Sequence, residues 1–289
     1  MTDDQLTPLP DGRALAWREY GDPAGLPVLS CHGGLLCGLD VAPFHAAAAG
    51  LGLRLISPDR PGLGASGPSA GRTVAAWADD VRALLDALGV AQAAVLGWSM
   101  GGPYALACAA LLPGRITRAV VVAGALPIDD DTTFAELNPM DRRLTRLSQR
   151  HPTVAHDVFR ALGELARHRP AAFAHLSARG AVPAEGAALD ALEALPIGGI
   201  AEAASHALAG GDGMVEEYRA WALPWGFAAA DIAVPVVIHQ GAKDDLVPAA
   251  WSERLAATIP GATLRLHPDG RHFLTYADPD TVLRDLLPG

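Results

Sequence analysis

The 289-residue chain is half hydrophobic and carries 22 Lys and Arg against 32 Asp and Glu, a formal net charge of -10. With a single lysine, Lys243, and scattered arginines, it lacks the clustered positive charge that nucleic acid or anionic lipid requires. No apolar run approaches the roughly 18 residues of a membrane span, and the acidic opening Met1-Thr2-Asp3-Asp4 leads into no apolar signal core, so the expectation is a cytoplasmic protein with neither nucleic acid nor membrane as partner.

Asp11-Gly12 reads as a hairpin turn into a strand over residues 13–20, and Pro27 to Cys31 as a second strand ending in the glycine-rich His32-Gly33-Gly34. A helix is predicted over residues 39–49, stopped by Gly50, then a strand over 53–57. Asp59-Arg60-Pro61-Gly62-Leu63-Gly64 holds too much Gly and Pro for a regular element. Thr73 is predicted to cap a helix in which Val74, Trp77, Val81, Leu84, Leu85 and Leu88 recur at helical spacing, closed by Gly89. A strand over 93–96 runs into Gly97-Trp98-Ser99-Met100-Gly101, followed by a helical pattern to about Leu112 and a strand over 119–122. From about Pro127 to Ala230 the pattern is helical, Ala- and Arg-rich and broken by prolines, with no convincing strand. Strands return at 235–239 and 262–266, with a helix over 249–258 between them and a last helix over 281–287. Alternating strands and helices predict an α/β fold with a mostly parallel sheet. The sheet brackets a helical insertion, which divides the chain into a core of residues 1–126 and 231–289 and an inserted lobe of 127–230. Cys31, Cys37 and Cys108 are odd in number and widely separated, which suits buried, reduced thiols.

The pentapeptide around Ser99 carries the chemistry. A strand that reverses sharply into a helix leaves no room for side chains beside the turn, so glycines flank the one residue pushed into the open. A serine hydroxyl is a poor nucleophile at neutral pH and needs a base within hydrogen-bond reach and a third group that orients the base. Functional groups of open α/β sheets collect beyond the carboxyl ends of the strands. Two segments qualify: Gln240 to Pro248, with Asp244 and Asp245, and His267 to Phe273, with His267 and His272.

These motifs together resemble the α/β-hydrolase family along nearly the whole chain outside the insertion. His32-Gly33-Gly34 is similar to that family's oxyanion loop, Asp59 to Ser66 to its glycine-rich loop after the next strand, Gly97 to Gly102 to its nucleophile elbow, Gly241 to Pro248 to its acid loop, and Gly270-Arg271-His272-Phe273 to the segment carrying its base. The order Ser, Asp, His is also that family's order. The resemblance implies an α/β-hydrolase fold, an eight-stranded, mostly parallel sheet flanked by helices with an inserted helical cap. It implies Ser99 as nucleophile, His272 as general base and then acid, and Asp244 as the residue that orients the imidazole. Asp244 stands three residues after Gly241 and four before Pro248, where the family places its acid; Asp245 fits neither spacing. Backbone amides of Met100 and Gly34 are the expected oxyanion donors. His32 is read as a brace for its loop. Leu35-Leu36 stands where many relatives carry a proline.

Several other groups receive plainer readings. Asp59 and Arg60 are expected to tie down their own loop, Asp129-Asp130-Asp131 to be a solvated acidic run, His267 to be a partly buried, hydrogen-bonded histidine, and Trp98 to pack beside the elbow. His151, His156, His168 and His175 lack Cys or carboxylate partners at metal-ligand spacing. Trp221, Trp225 and Phe227 are expected to cluster where the insertion returns to the sheet. No metal and no cofactor is expected.

The resemblance makes the insertion a cap over the serine and the determinant of substrate. Its Ala- and Leu-rich helices point to an apolar pocket for a small to medium carboxylic ester, cleaved through an acyl-enzyme. A carbon–carbon bond hydrolase and a prolyl-type aminopeptidase keep the same serine. The latter would need cap carboxylates, for which Glu202, Glu216 and Glu217 are candidates. A thioesterase or lactonase stays open, as does a non-catalytic binding protein. The partner is a small molecule, and the chain is expected to be a monomer or homodimer.

Overall fold

The computed structural model describes residues 4–180 and 197–288. Met1 to Asp3 of the acidic opening, and residues 181–196 of the insertion, lie outside the described residues. Eight strands form one sheet: β1 (Gln5–Pro8), β2 (Ala14–Gly21), β3 (Leu26–Cys31), β4 (Leu53–Pro58), β5 (Ala93–Trp98), β6 (Ile116–Val122), β7 (Val236–Gly241) and β8 (Thr263–His267), in the order β1-β2-β4-β3-β5-β6-β7-β8. The hairpin at Asp11-Gly12 makes β1 and β2 antiparallel, β2 runs antiparallel to β4, and every pairing from β4 onward is parallel. All six residues of β5 are buried, which is why that stretch reads as an unbroken apolar run rather than an alternation.

Around the sheet lie α1 (His45–Gly50), α2 (Trp77–Ala87) and α3 (Gly101–Leu111). Between β6 and β7 the described residues hold α4 (Asp131–Glu136), α5 (Pro139–Arg150), α6 (Pro152–His168), α7 (Pro170–Gly180), α8 (Ile197–Leu208) and α9 (Asp212–Trp221) and no strand. After β7 come α10 (Ala249–Thr258), α11 (Leu274–Ala277) and α12 (Pro279–Arg284). Three boundaries differ from the sequence reading. The helix expected over 39–49 is a 3-10 stretch, Gly38–Phe44, followed by α1, because Pro43 has no amide hydrogen and its ring collides with the preceding turn. Thr73 Oγ1 accepts from Ala76 N at 3.2 Å, but it closes a turn, and α2 begins at Trp77. The last helix starts at Pro279, whose fixed φ suits a first helical position, with the Asp278 carboxylate accepting from Thr281 N.

The topology brings β3 and β5 side by side, with Cys31 opposite Gly97. The loops leaving both strands therefore meet where the winding of the sheet reverses, the position at which open α/β sheets hold ligands. The three cysteines are buried and free.

Candidate active site

Ser99 occupies the reversal between β5 and α3 with φ at +54°, a left-handed conformation that costs a non-glycine residue about 1 kcal/mol or more. Hydrogen bonds hold it there: Ser99 N donates to Val122 O at 2.9 Å, and Ser99 O accepts from Gly102 N at 2.9 Å and Ala125 N at 3.1 Å. The flanking glycines are dictated by space. A Cβ on Gly97 would lie 2.6 Å from Gly101 O and 2.7 Å from Ala105 Cβ, and one on Gly101 would fall on the Cys31 carbonyl oxygen.

His272 follows β8 and is 6% exposed. Its Nδ1 lies 2.9 Å from Asp244 Oδ2, so in the neutral ring the proton on Nδ1 leaves Nε2 as the basic nitrogen. Trp98 Nε1 donates to His272 O at 3.0 Å, and the two rings sit 5.3 Å apart. Asp244 lies in the loop after β7 with its side chain fully buried. Its Oδ1 accepts from Leu246 N at 2.8 Å and Val247 N at 2.9 Å, and Oδ2 also faces Gln240 Nε2 at 3.3 Å. Burial works to raise the carboxyl's pKa; the His272 charge and hydrogen bond and the two amides outweigh it and hold the group below its ordinary value. The neighbouring Asp245 instead meets Arg271 at 3.1 Å near the surface. His267 Nε2 lies 3.0 Å from His239 Nδ1, with the rings stacked.

The loop after β3 completes the surroundings. His32 is fully buried; its Nε2 accepts from Arg60 N at 3.1 Å, which leaves Nδ1 as donor to Gly33 O at 3.0 Å. Burial foremost, with the Arg60 charge, keeps its pKa well below the usual imidazole value. Gly33 N donates to Asp40 Oδ2 at 2.9 Å. Leu35 has φ at +61°, out of reach for a proline ring locked near -65°, so the departure at Leu35-Leu36 reflects a loop path a proline could not follow at residue 35. Ser99, His272, Gly34 and Met100 line one cavity with Leu35, Leu36 and other apolar side chains reaching across to the helices between β6 and β7.

Asp59 and Arg60 do tie the structure down, but through separate partners. Asp59 Oδ1 accepts from Arg18 at 2.7 Å and from Gly38 N at 2.8 Å. Arg60, buried against the Tyr104 ring, donates to Glu217 at 2.9 Å and to the carbonyls of His32 and Gly33 at 2.5 Å and 3.3 Å. Glu217 also pairs with Arg72, Glu216 binds Gly71 N and Arg219, and Glu202 is exposed, so none of the three faces the cavity. Asp130 is a helix cap, accepting from Thr132 N and Thr133 N. His156 and His168 do meet carboxylates, Asp212 at 2.8 Å and Glu164 at 3.2 Å, the latter shared with Arg167; the His175 side chain lies outside the described residues. Trp225 stacks on Phe227, whereas Trp221 turns to the cavity beside Tyr218. Sequence reading missed Asp141 and Tyr218, which line the cavity 77 residues apart and meet at 2.6 Å; no local pattern marks such a pair.

A family profile described as alpha/beta hydrolase fold matches residues 27–279. Over 252 residues the chain is 30% identical to a pimeloyl-acyl-carrier protein methyl ester esterase of Aromatoleum aromaticum, covering 82% of this chain and 89% of that one. It is 28% identical to a non-heme chloroperoxidase of Streptomyces lividans, over 96% of each. Among solved structures, an enol-lactonase from Burkholderia xenovorans LB400 superposes with a TM-score of 0.69 at 20% identity, covering 98% of this chain and 99% of the other, a likeness of fold. On the sequence match, the chain belongs to the alpha/beta hydrolase family.

Proposed function

We propose that this chain is a serine hydrolase that cleaves a small to medium carboxylic ester of largely apolar character through an acyl-enzyme. The observation that carries the reading is the shared cavity of Ser99 and His272, with the His272 Nδ1 held 2.9 Å from a buried carboxylate. In this reading Ser99 Oγ attacks the carbonyl carbon while His272 Nε2 takes its proton, and the same proton passes to the departing alkoxide. Water then attacks the acyl carbon, again losing a proton to His272, which returns it to Ser99 Oγ as the acid leaves. Asp244 fixes the tautomer and supports the transient imidazolium. The amides of Gly34 and Met100 receive the oxyanion, as both residues border the cavity beside Ser99. Residues 127–230 act as a cap over a core of 1–126 and 231–289, since the cavity reaches from Ser99 to side chains of α5, α7, α8 and α9. An esterase among the relatives agrees with this chemistry.

A fluorophosphonate probe and a panel of 4-nitrophenyl esters of rising acyl length test the reading. The wild type is expected to label and to turn over short to medium esters, and Ser99→Ala to lose both; a Ser99→Ala protein that still labels removes the assignment. Asp244→Asn is expected to lower kcat by about 10⁴ while Asp245→Asn stays near wild type.

A further inference from the structure

Asp141 is the anomaly of the cavity. Its neighbours on the cavity wall include Leu35, Leu36, Leu137, Phe173, Ile200 and Val247, and beyond Ser99, His272 and the indole nitrogens the described lining offers only two polar side chains, Asp141 and Tyr218. The Tyr218 hydroxyl donates to Asp141 Oδ1 at 2.6 Å, and Asn138 Nδ2 donates to Asp141 Oδ2 at 2.6 Å. Both partners are neutral. A carboxylate taken out of water is costly unless a cation or further donors compensate it, and a carboxylate accepts about four hydrogen bonds, so each oxygen retains accepting capacity. Asp141 is desolvated in part and lines the cavity, so that capacity is open to a ligand there.

Asp141 shares its cavity with Ser99 and His272. Burial pushes its pKa above the ordinary carboxylate value, against the hydrogen bonds from Tyr218 and Asn138 and the charge of His272. Tyr218 is itself fixed, 1% exposed and stacked on Phe159 with ring centroids 5.5 Å apart, so the acceptor is held on a rigid support. Its place in the first turn of α5, behind the N-cap Asn138, favours an acid there through the helix dipole, but neither that nor the tie to α9 requires the acid to line the cavity.

We propose that Asp141 selects substrates carrying a hydrogen-bond donor, a hydroxyl or a protonated amine, on the part of the molecule that fills the apolar cavity. The inference rests on the hydrolase reading above and narrows it from an apolar ester to one whose apolar chain bears a single donor. The chain's linking atoms would pack against the apolar wall and the donor would take up the capacity left on the carboxylate. A substrate with a methyl group at that point would leave the carboxylate uncompensated, and this asymmetry is what gives discrimination.

The test uses sets of methyl esters matched in shape: methyl heptanoate, methyl ω-hydroxyhexanoate and methyl ω-ammoniohexanoate, with the same sets shortened by one and by two methylenes to scan the reach to Asp141. In at least one set the wild type is expected to prefer a donor-bearing ester over its methyl-ended isostere by about tenfold in kcat/KM, the effect of one charge-assisted hydrogen bond. That ratio should collapse in Asp141→Leu and, for the ammonium ester, in Asp141→Asn, which serves if the leucine variant does not fold. An ammonium preference above the hydroxyl preference identifies the protonated amine as the donor; the reverse order identifies the hydroxyl. Equal or better turnover of the methyl-ended ester in every set overturns the proposal, as does a donor preference that survives in the Asp141 variants. Calorimetric binding of the same esters to Ser99→Ala reads the preference without turnover. A wild type that neither labels nor hydrolyses any ester would therefore refute the hydrolase reading, while the binding ratio would still decide the role of Asp141.

Discussion

At Ser99 the backbone and the side chain make opposing demands. The hydroxyl must stand clear of the sheet, and the φ of +54° that lifts it is unfavourable for any residue with a Cβ. Neighbouring residues absorb this by having no side chain. Gly101 lies under the carbonyls of Cys31, at the end of β3, and His32, so the elbow closes only if that residue is glycine. Gly101→Ala is accordingly expected to destabilise the fold by about 1–3 kcal/mol through overpacking and to slow fluorophosphonate labelling as the elbow shifts. Gly50→Ala makes the control, since a Cβ there meets nothing within 4 Å and φ is not positive; it should be neutral or slightly stabilising. Urea unfolding of the two variants, with labelling rates alongside, checks the contrast, and equal effects would show that elbow crowding is not what conserves the geometry. This much could be read from five residues, because the steric rule is local. The left-handed Leu35 could not, since its conformation is imposed by a loop path that no neighbouring residue announces.

At the scale of elements, what the chain order separates the sheet and the buried charges reunite. Arg60 follows β4 and Glu217 lies on α9, with side chains 0% and 1% exposed. Arg60 spends its remaining donors on the His32 and Gly33 carbonyls, so a carboxylate from the insertion helps hold the loop that presents Gly34. Removing one partner of such a pair strands a charge away from water, at about 3–5 kcal/mol. Glu217→Ala is therefore expected to lower stability by that order and, in protein that remains folded at low temperature, to reduce kcat more than it raises KM, because the loop after β3, proposed to bind the oxyanion, loses its anchor while the apolar pocket remains. Chemical denaturation and ester kinetics at 10 °C measure both. A variant with wild-type kcat would separate the network from the loop. The strands and the core helices were open to sequence reading because period and punctuation are local signals; the helix boundaries at Pro43 and Pro279 followed from proline chemistry that the apolar pattern masked. The Arg60, Arg72 and Glu217 network was not readable, as it joins residues 145 and 157 apart, and it makes Glu217, one of three cap carboxylates that an aminopeptidase would need, a structural counter-ion.

Across the whole molecule, two buried titratable groups give the stability curve opposing slopes. Asp40, held under the loop after β3 by Gly33 N, is pushed up to about 7 chiefly by burial. Between its unfolded value near 4 and about 7 the folded state holds a proton that the unfolded state has lost, so its contribution is present at low pH and is lost as pH rises through that window. His239, 0% exposed between His267 and Asp285, is pushed down to about 4, burial again leading. Its contribution is present above the ordinary imidazole range near 6.5 and is lost as pH falls toward about 4. From pH 4 to 6.5 these two slopes oppose each other, so the Asp40 contribution is read by difference against a variant. Asp40→Asn mimics the protonated acid in shape and accepting capacity and removes only the falling slope. Relative to wild type it should gain on the order of 2 kcal/mol between pH 5 and pH 7.5, measured by urea unfolding at both pH values. A difference that stays constant with pH would mean that Asp40 is ionised in the folded protein throughout, and that Arg60, whose charge acts on it, outweighs the burial of its carboxylate.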